Sequence, residues 1–386
     1  MDSSFVYDKF VTGKTFVGRK TECNTLTNLL EAGEHVVMYE PPKSGKRSLI
    51  QQAFFNMRLK GKPFMVAELE LYNVRTLEQF LLRFGAAVIR LVSTTQQEYS
   101  SIISEYLDGT HFVFDPARFA SDSEEVVSLN WEPDSNDVEK MLSLPGRIAR
   151  NRQMPYYVVL DDFQNLMKIK DYESLFSIFE NILRDNRGVE NQATFVLTGS
   201  MVNAMKYIFE QKKYFYRLAE YLPLQQVDDR EIIEHIVRGL MVGGKVVERE
   251  LVLGACKLFR GRLWYLNHFT AICDSMTKGY INEGILMDAL ASMLSVHEPR
   301  FKAIVDDLTD HQISLLRAVL DGVVKFSSSD VIEKYSLNSS ANVRRVKDAL
   351  CKKEIITFNE KDEPVILDPL FEYWVSKHYF NIKNNL

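Results

Sequence analysis

Short apolar runs alternate with helix-forming stretches over the first 221 residues of this 386-residue chain. Four runs have the length and the β-branched or aromatic content of strands: HVVMY (35–39), PFMVAELEL (63–71), PYYVVLDD (155–162) and ATFVLTGS (193–200). The stretch SLIQQAFFNMRL (48–59) instead repeats its apolar residues at helical spacing. Apolar strands that alternate with helices are typical of a parallel sheet covered on both faces. The pattern therefore predicts an α/β core.

The stretch 94–140 interrupts this alternation. It is rich in Ser, Asp and Glu, as in FASDSEEVVSLNWEPDSND. We expect it to form an irregular acidic insertion on the surface. A helix around DVEKMLSLPGRIARNRQ (137–153) then leads to the third apolar run.

Beyond Leu222 the pattern changes to helices alone, and this continues to about residue 300. Three further helices are then predicted, in LTDHQISLLRAVL, SSSDVIEKYS and SSANVRRVKDALCKK. We expect the second to begin with a capping box from Ser327 to Asp330. The alternation in EIITFNEKDEPVILD predicts a β-hairpin. The predicted domains are thus an α/β core (1–221), an all-α lid (222–300) and a winged helix-turn-helix domain (301–386).

The composition narrows the class of protein. Hydrophobic residues make up 46% of the chain and charged residues 26%, as in ordinary globular proteins. A net charge of -5 argues against a protein that coats nucleic acid by bulk charge, although a local basic face remains compatible with it. We see neither a signal peptide nor an apolar run that could cross a membrane, and therefore expect a cytoplasmic protein. The histidine spacing does not suggest a metal site.

The first apolar run leads into YEPPKSGKRS (39–48), which is similar to the phosphate-loop pattern G-x-x-x-x-G-K-[ST]. Gly45 would let the backbone approach a phosphate closely, and Lys46 would supply positive charge to the β- and γ-phosphates. Amide groups of the loop and of the following helix would add a positive dipole. The triplet Gly13-Lys14-Thr15 has no such context, since neither a glycine at the right offset nor a strand precedes it.

Two substitutions alter this loop. Glu40 replaces the first glycine, and like charges about 4 Å apart repel by about 4 kcal/mol at an effective dielectric near 20. Its carboxylate must turn away or pair with Lys43, Arg47 or Arg19. Arg47 replaces the hydroxyl residue that ligates magnesium, and Ser48 points about 100° around the helix, which makes it a poor substitute. Arg47 could bring its own charge to the phosphates and reduce the need for magnesium.

Two later strands end in residues that suit nucleotide chemistry. In VVLDDFQN, Asp161 follows an apolar strand and could hold Mg²⁺ through water. Asp162 stands where many such enzymes place a glutamate that orients the attacking water. In VLTGS, Ser200 could sense the γ-phosphate. Each of these could alone be a polar turn at the end of a strand, but the three pieces in this order favour a nucleotide site.

The chain resembles the archaeal-type ATPase family, a branch of the additional-strand P-loop ATPases close to the AAA+ and STAND groups. The resemblance covers nearly the whole chain. The segments that carry it are FVGRKTE (16–22), YEPPKSGKRSL, VVLDDFQN, VLTGS, YFYRLAEYLPL (214–224) and LDPLFEYW (367–374).

This resemblance implies ATP or ADP as ligand, Mg²⁺ as cofactor, and a nucleotide bound between the core and the lid. The implied cofactor-binding residues are Val17, Gly18, Arg19, Pro42, Lys43, Ser44, Gly45, Lys46, Arg47 and Ser48. Asp161 would bind the metal, and Asp162 and Ser200 would be catalytic. Arg217 would be an arginine finger or sensor, and a surface ion pair is an equally weighted alternative for it. As a finger it could complete a neighbour's site in a homo-oligomer.

The leading hypothesis is an ATP-binding regulatory switch that hydrolyses ATP slowly or only with a protein partner. Hydrolysis is expected to be weak because Asp162 is one methylene shorter than glutamate, and a displacement near 1 Å can cost on the order of 10²-fold in rate. One alternative is a non-catalytic nucleotide-binding scaffold. Another is a DNA-binding regulator that uses the helix at 339–353, where Asn342, Arg345 and Lys352 lie opposite an apolar stripe. DNA is not favoured, because acidic residues are about as numerous as basic ones in 301–386.

Overall fold

The computed structural model describes residues 5–121, 126–188 and 192–382. The chain forms two compact units, which we call the sheet unit and the helical unit. The sheet unit comprises Lys20–Glu40 and Gln52–Leu224, and the helical unit comprises Met1–Arg19, Pro41–Gln51 and Gln225–Leu386. The three-domain division drawn from the sequence remains a prediction.

The described part of the sheet unit contains seven strands and eight α-helices. In chain order they are α1 (Lys20–Glu31), β1 (His35–Tyr39), α2 (Lys46–Leu59, in the sheet unit from Gln52 on), β2 (Met65–Glu70), α3 (Leu77–Ile89), α4 (Gln96–Tyr106), β3 (Phe112–Val113), α5 (Pro116–Ser121), β4 (Ser128–Leu129), α6 (Ser135–Arg152), β5 (Tyr156–Asp161), α7 (Tyr172–Asn186), β6 (Ala193–Gly199), α8 (Val202–Lys206) and β7 (Ala219–Tyr221).

Five of these strands form one parallel sheet in the order β2-β5-β6-β1-β7. The four predicted strands are confirmed, and β7 is an additional edge strand. β6 lies between β1 and β5, so the strand before the phosphate loop and the strand that ends in Asp161 are not neighbours. β1 and β6 are buried throughout, as expected for strands covered on both faces.

The register of this sheet sets where polar residues meet. Leu160 is paired with Leu197, and Tyr39 with Gly199. The strands β5, β6 and β1 therefore end at the same edge of the sheet. Behind this edge, the fully buried ring of Phe163 packs against Phe176, with the ring centroids 5.4 Å apart.

The stretch 94–140 is not irregular, and that prediction was wrong. It contains α4, α5, the start of α6, and an antiparallel pair made by β3 and β4. Capping boxes at Thr95–Glu98 and Asp134–Asp137 start α4 and α6, and they were the overlooked local signals. Asp137 is fully buried and also accepts a hydrogen bond from the His111 backbone amide at 2.8 Å. The acidic composition of this stretch therefore partly reflects helix capping.

The described part of the helical unit contains eight further α-helices and four short strands. They are α9 (Asp229–Val242), β8 (Val246–Val247), α10 (Arg249–Leu258), α11 (Leu263–Met276), β9 (Tyr280–Ile281), α12 (Glu283–Asp306), α13 (Asp310–Leu320), α14 (Ser329–Lys334), α15 (Ser340–Lys352), β10 (Ile356–Phe358), β11 (Pro364–Ile366) and α16 (Pro369–Trp374).

Helices α13, α14 and α15 and the antiparallel pair β10–β11 match the predicted three helices and hairpin. Val343, Val346 and Leu350 form the buried stripe of α15, as predicted. Two details differ from the sequence reading. β8 and β9 pair in parallel within a stretch predicted to be helical alone. Ser328 precedes α14 without a side-chain cap, so the predicted capping box is absent.

Among the described residues, no helix is both long enough and apolar enough to cross a membrane.

His35, the first residue of β1, is completely buried. Its Nε2 lies 2.8 Å from the Leu183 carbonyl oxygen, and the Phe195 amide donates to Nδ1 at 3.0 Å. These contacts define a neutral ring that carries its proton on Nε2. Burial lowers the pKa of His35 to about 4.

Because the unfolded chain has the higher pKa, near 6.5, His35 favours unfolding as the pH drops. Its contribution to stability is complete above the unfolded value and is lost towards pH 4. We expect His35 to account for about 2 kcal/mol of the loss in unfolding free energy between pH 7 and pH 5. Urea unfolding of His35→Gln at both pH values checks this, since the variant should lack that part of the decrease. An identical pH dependence in the two proteins would contradict the prediction.

Candidate nucleotide site

The phosphate loop occupies residues 41–45 of the helical unit, and α2 begins directly after it at Lys46. Gly45 has a φ of +93°, which side chains rarely tolerate. Lys46 is 9% exposed, and its Nζ donates to the Pro41 carbonyl oxygen at 3.2 Å. The Leu49 amide bonds to the Gly45 carbonyl oxygen at 3.1 Å. The loop thus closes on itself around its own lysine and continues into a helix N-terminus.

Arg19 braces this loop. Its Nη1 donates to the Ser44 carbonyl oxygen at 2.7 Å, and a Cβ added to Gly45 would lie 2.9 Å from the same nitrogen. Gly45 is therefore needed for its backbone angle, and an added Cβ would also displace the tip of the Arg19 side chain. The preceding Gly18 is also tightly placed, because an added Cβ would lie 2.5 Å from Val227 Cγ1. Val17 packs against the core of the helical unit. The predicted VGR segment and the predicted loop thus meet.

The two residues after Lys46 contact the N-terminal segment. The Val11 amide donates to Ser48 Oγ at 3.2 Å, and the Arg47 guanidinium lies 5.6 Å from the Phe10 ring centroid. Arg47 itself is exposed. The hydroxyl nearest to the metal-ligand position of the pattern is therefore engaged with a backbone amide.

Lys43 extends to the helical unit's aromatic residues. Its backbone has a φ of +66°, and its Nζ lies 3.5 Å from the Trp264 ring centroid and 5.1 Å from that of Tyr265. Burial lowers the pKa of Lys43 to about 8, while the charge of Asp368 opposes this effect. Pro42, beside it, is exposed.

The carboxylates belong to the sheet unit. Asp161 is the last residue of β5, and its Oδ1 accepts hydrogen bonds from the Thr198 hydroxyl and, at 3.1 Å, from the Asp162 amide. Asp162 takes a left-handed backbone conformation with φ at 58°. Because of this turn, the side chains of Asp161 and Asp162 have different hydrogen-bond partners.

A clamp of two side chains holds Asp162. Its Oδ1 accepts a hydrogen bond from the Ser200 hydroxyl and another from Gln164 Nε2 at 3.0 Å. Gln164 is 3% exposed, and a Cβ added to Gly199 would lie 2.7 Å from its Oε1. Asp162 Oδ2 makes no hydrogen bond to the described residues. The clamp therefore fixes one of the two carboxylate oxygens of Asp162.

Arg217 is exposed and stands just before the edge strand β7. Its guanidinium lies 5.1 Å from the neighbouring Tyr216 ring, and its carbonyl oxygen accepts a hydrogen bond from Arg187. The backbone at Arg217 is held while its charged group remains at the surface.

Three contributing residues were missed from the sequence. Thr198 and Gln164 were part of the quoted segments VLTGS and VVLDDFQN but received no role. The register of β5 and β6 would have placed Thr198 beside Asp161. Trp264 gave no signal, because its relation to Lys43 depends on contacts distant in sequence.

Comparison of the sequence with protein families finds one match, in the C-terminal part of the chain. A family model described as "Probable winged helix domain" matches residues 299–377. No curated protein sequence matches the chain.

Solved structures resemble nearly all of it. For the Walker-type ATPase of Pyrococcus abyssi the TM-score is 0.66 at 16% identity, over 96% of this chain and 99% of that one. For the ORC2 protein of Aeropyrum pernix in its ADP form the TM-score is 0.56 at 15% identity, over 96% and 94%. For the ORC1 protein of Aeropyrum pernix in complex with DNA it is 0.51 at 13% identity, over 98% and 97%.

At these identities the likeness concerns the fold. The five-stranded parallel order, the mostly helical region and the hairpin-bearing C-terminal part agree with the predicted fold class, which is confirmed. This chain has the fold of the archaeal Walker-type ATPase and ORC proteins, a P-loop ATPase sheet followed by a helical region and a winged helix domain.

Proposed function

We propose that this protein binds ADP and ATP through its phosphate loop and acts as a nucleotide-dependent regulatory switch with slow hydrolysis. The observation that carries the proposal is the loop itself: Gly45 at positive φ, braced by Arg19, directly before a helix that starts with the buried Lys46. This arrangement gathers backbone amides, a helix dipole and two cations, which suits a polyphosphate. The likeness in fold to an ORC2 protein solved with ADP adds support.

The donor set suits a weakened magnesium site. Asp161 supplies a carboxylate, and carboxylates with water are usual ligands of Mg²⁺. The loop itself supplies no hydroxyl at position 47, and the Ser48 hydroxyl accepts the Val11 amide. Asp161 of the sheet unit is our candidate for the residue that would hold the ion, and a bound ion would supply positive charge. The charge of Lys46 and Arg19 would carry more of the binding than in a loop with the usual Ser or Thr.

Asp162 is our candidate for the residue that orients the attacking water. Ser200 and Gln164 occupy Oδ1, so Oδ2 is the oxygen that would accept a proton from water. The aspartate is shorter than the glutamate common at this position, and we therefore expect slow turnover. Arg217, exposed before β7, is the candidate for a charge supplied to a second copy. A rate per subunit that rises with protein concentration would support that role.

DNA binding by α15 is a second candidate function. Arg344 and Arg345 are exposed on this helix, opposite its buried stripe. Other polar residues of α15 serve the fold instead: Asn342 donates to the Leu337 carbonyl oxygen at 3.1 Å, and Lys347 lies 3.8 Å from the Phe358 ring centroid. Titration of a labelled duplex at low salt tests this candidate, and the absence of binding there would reject it.

The loop makes a sharp prediction for nucleotide affinity. Lys46→Ala should weaken ADP binding at least about tenfold, because it removes the cation at the phosphates. Isothermal titration calorimetry measures this affinity in Mg²⁺ and in excess EDTA. The wild-type affinity should change little between the two conditions, since Arg47 replaces the metal-ligating hydroxyl.

The matched control is Lys14→Ala, which changes the lysine of the other Gly-Lys-Thr triplet. Gly13–Thr15 forms a short turn with the Thr15 hydroxyl donating to the Thr12 carbonyl oxygen at 3.0 Å. Its ADP affinity should equal that of the wild type. Equal affinity in Lys46→Ala would remove the proposed site.

The clamp on Asp162 makes a second prediction. Gln164→Met removes one donor to Oδ1, so we expect kcat for phosphate release to fall about tenfold while ADP affinity and KM stay unchanged. Gln192→Met is the control, because Gln192 is another buried glutamine of the sheet unit and does not contact Asp162. Asp162→Asn should abolish turnover. Nucleotide binding without any wild-type hydrolysis would instead favour the non-catalytic scaffold.

A further inference from the structure

The phosphate loop contains a second lysine whose charged group is held by aromatic rings. The Nζ of Lys43 lies over the face of Trp264 at 3.5 Å and near that of Tyr265 at 5.1 Å. Both rings belong to the first turn of α11. A cation this close to an indole face is a strong example of a cation–π contact. The Lys43 side chain thus connects the loop to α11.

The Trp264 ring is itself held in place. Tyr265 meets it nearly perpendicularly, with centroids 5.0 Å apart, and His268 does so at 5.3 Å. The ring of Tyr7 approaches it from the N-terminal segment at 6.1 Å. A ring packed on several sides presents a fixed face, so Lys43 contacts a pre-formed surface and not a mobile side chain.

The carboxylate of Asp368 links the contact between Lys43 and the two rings to α16. The Tyr265 hydroxyl donates to Asp368 Oδ1 at 3.0 Å, and Arg300 donates to Asp368 Oδ2 at 2.5 Å. Asp368 also caps α16, where its Oδ1 accepts the amides of Leu370 and Phe371. Lys43, α11, α12 and α16 are therefore joined by a short chain of contacts within the helical unit.

We propose that Trp264 is a positioning residue that competes with nucleotide phosphates for the ammonium of Lys43, so that binding at the loop is registered by α11 and α16. This inference rests on the proposed nucleotide binding. It states how the presence of a nucleotide at the loop would affect α11 and α16. An ammonium group occupies one place at a time, and a diphosphate attracts it more strongly than the quadrupole of a ring. Partial burial deprives Lys43 of water, which increases its gain from an anion.

The competition predicts the sign of a substitution effect. Trp264→Leu releases Lys43 while keeping an apolar residue, and ADP affinity should rise about three- to tenfold. Trp264→Phe retains a weaker cation–π surface and should give a smaller rise. It serves as the second variant if the leucine disturbs α11.

The competition also predicts an optical signal. The chain has three tryptophans, so Trp131→Phe with Trp374→Phe leaves Trp264 as the single reporter. Addition of ADP should change its emission, and the midpoint should match the affinity measured by calorimetry. Lys43→Met should abolish the emission change while ADP still binds through Lys46. If the double substitution perturbs folding, the difference between Lys43→Met and the parent chain gives the same comparison.

Lys347→Met is the matched control, because Lys347 is another lysine of the helical unit that lies over an aromatic ring, that of Phe358, at 3.8 Å. It should leave both the emission change and the affinity intact. Absence of ADP binding in calorimetry would overturn the proposed function and this inference together. ADP binding with an unchanged Trp264 emission, or weaker binding in both Trp264 variants, would overturn this inference alone.

Discussion

The parallel ladder through β5, β6 and β1 is the constraint on which the candidate chemistry depends. It pairs Leu160 with Leu197 and Tyr39 with Gly199, so that three buried strands end at one edge. A shift of register would turn apolar side chains away from the layers that bury them. Because the register is held in this way, the Thr198 hydroxyl reaches Asp161 and the Ser200 hydroxyl reaches Asp162. The two aspartates acquire separate partners from the same ladder.

The altered phosphate loop shows how substitutions redistribute roles among neighbouring residues. Arg47 and Ser48 contact Phe10 and the Val11 amide, so they secure the N-terminal segment. Arg19 reaches the loop from a different part of the chain and binds the Ser44 carbonyl oxygen. Arg19 and Lys46 thus both place positive charge at the loop.

The two lysines of the loop differ because their backbones differ. Lys46 opens a helix, and its side chain folds back to the Pro41 carbonyl oxygen. Lys43 has a positive φ, and its side chain lies on Trp264. One lysine therefore remains with the loop while the other belongs to a network that ends at Asp368. Lys43 and Lys46 are only three positions apart, and their side chains make different contacts because their backbone conformations differ.

The sequence by itself determined the elements whose signal is local. Continuous apolar runs marked β1, β5 and β6, and helical periodicity marked α2 and the buried stripe of α15, because burial on both faces or on one face leaves a direct pattern. The loop could also be recognised, since Gly45 and Lys46 stand between a predicted strand and a predicted helix. The sequence could therefore name candidate site residues, and their roles remain predictions.

Tertiary structure alone decided what depends on partners distant in the chain. β7, β8 and β9 are too short to be recognised without the strands that pair with them, and the two capping boxes were obscured by an acidic stretch. The clamp by Gln164 and the Trp264 surface beneath Lys43 arise from packing between separate segments. Such contacts have no period or spacing along the chain, since folding and not sequence proximity brings them together.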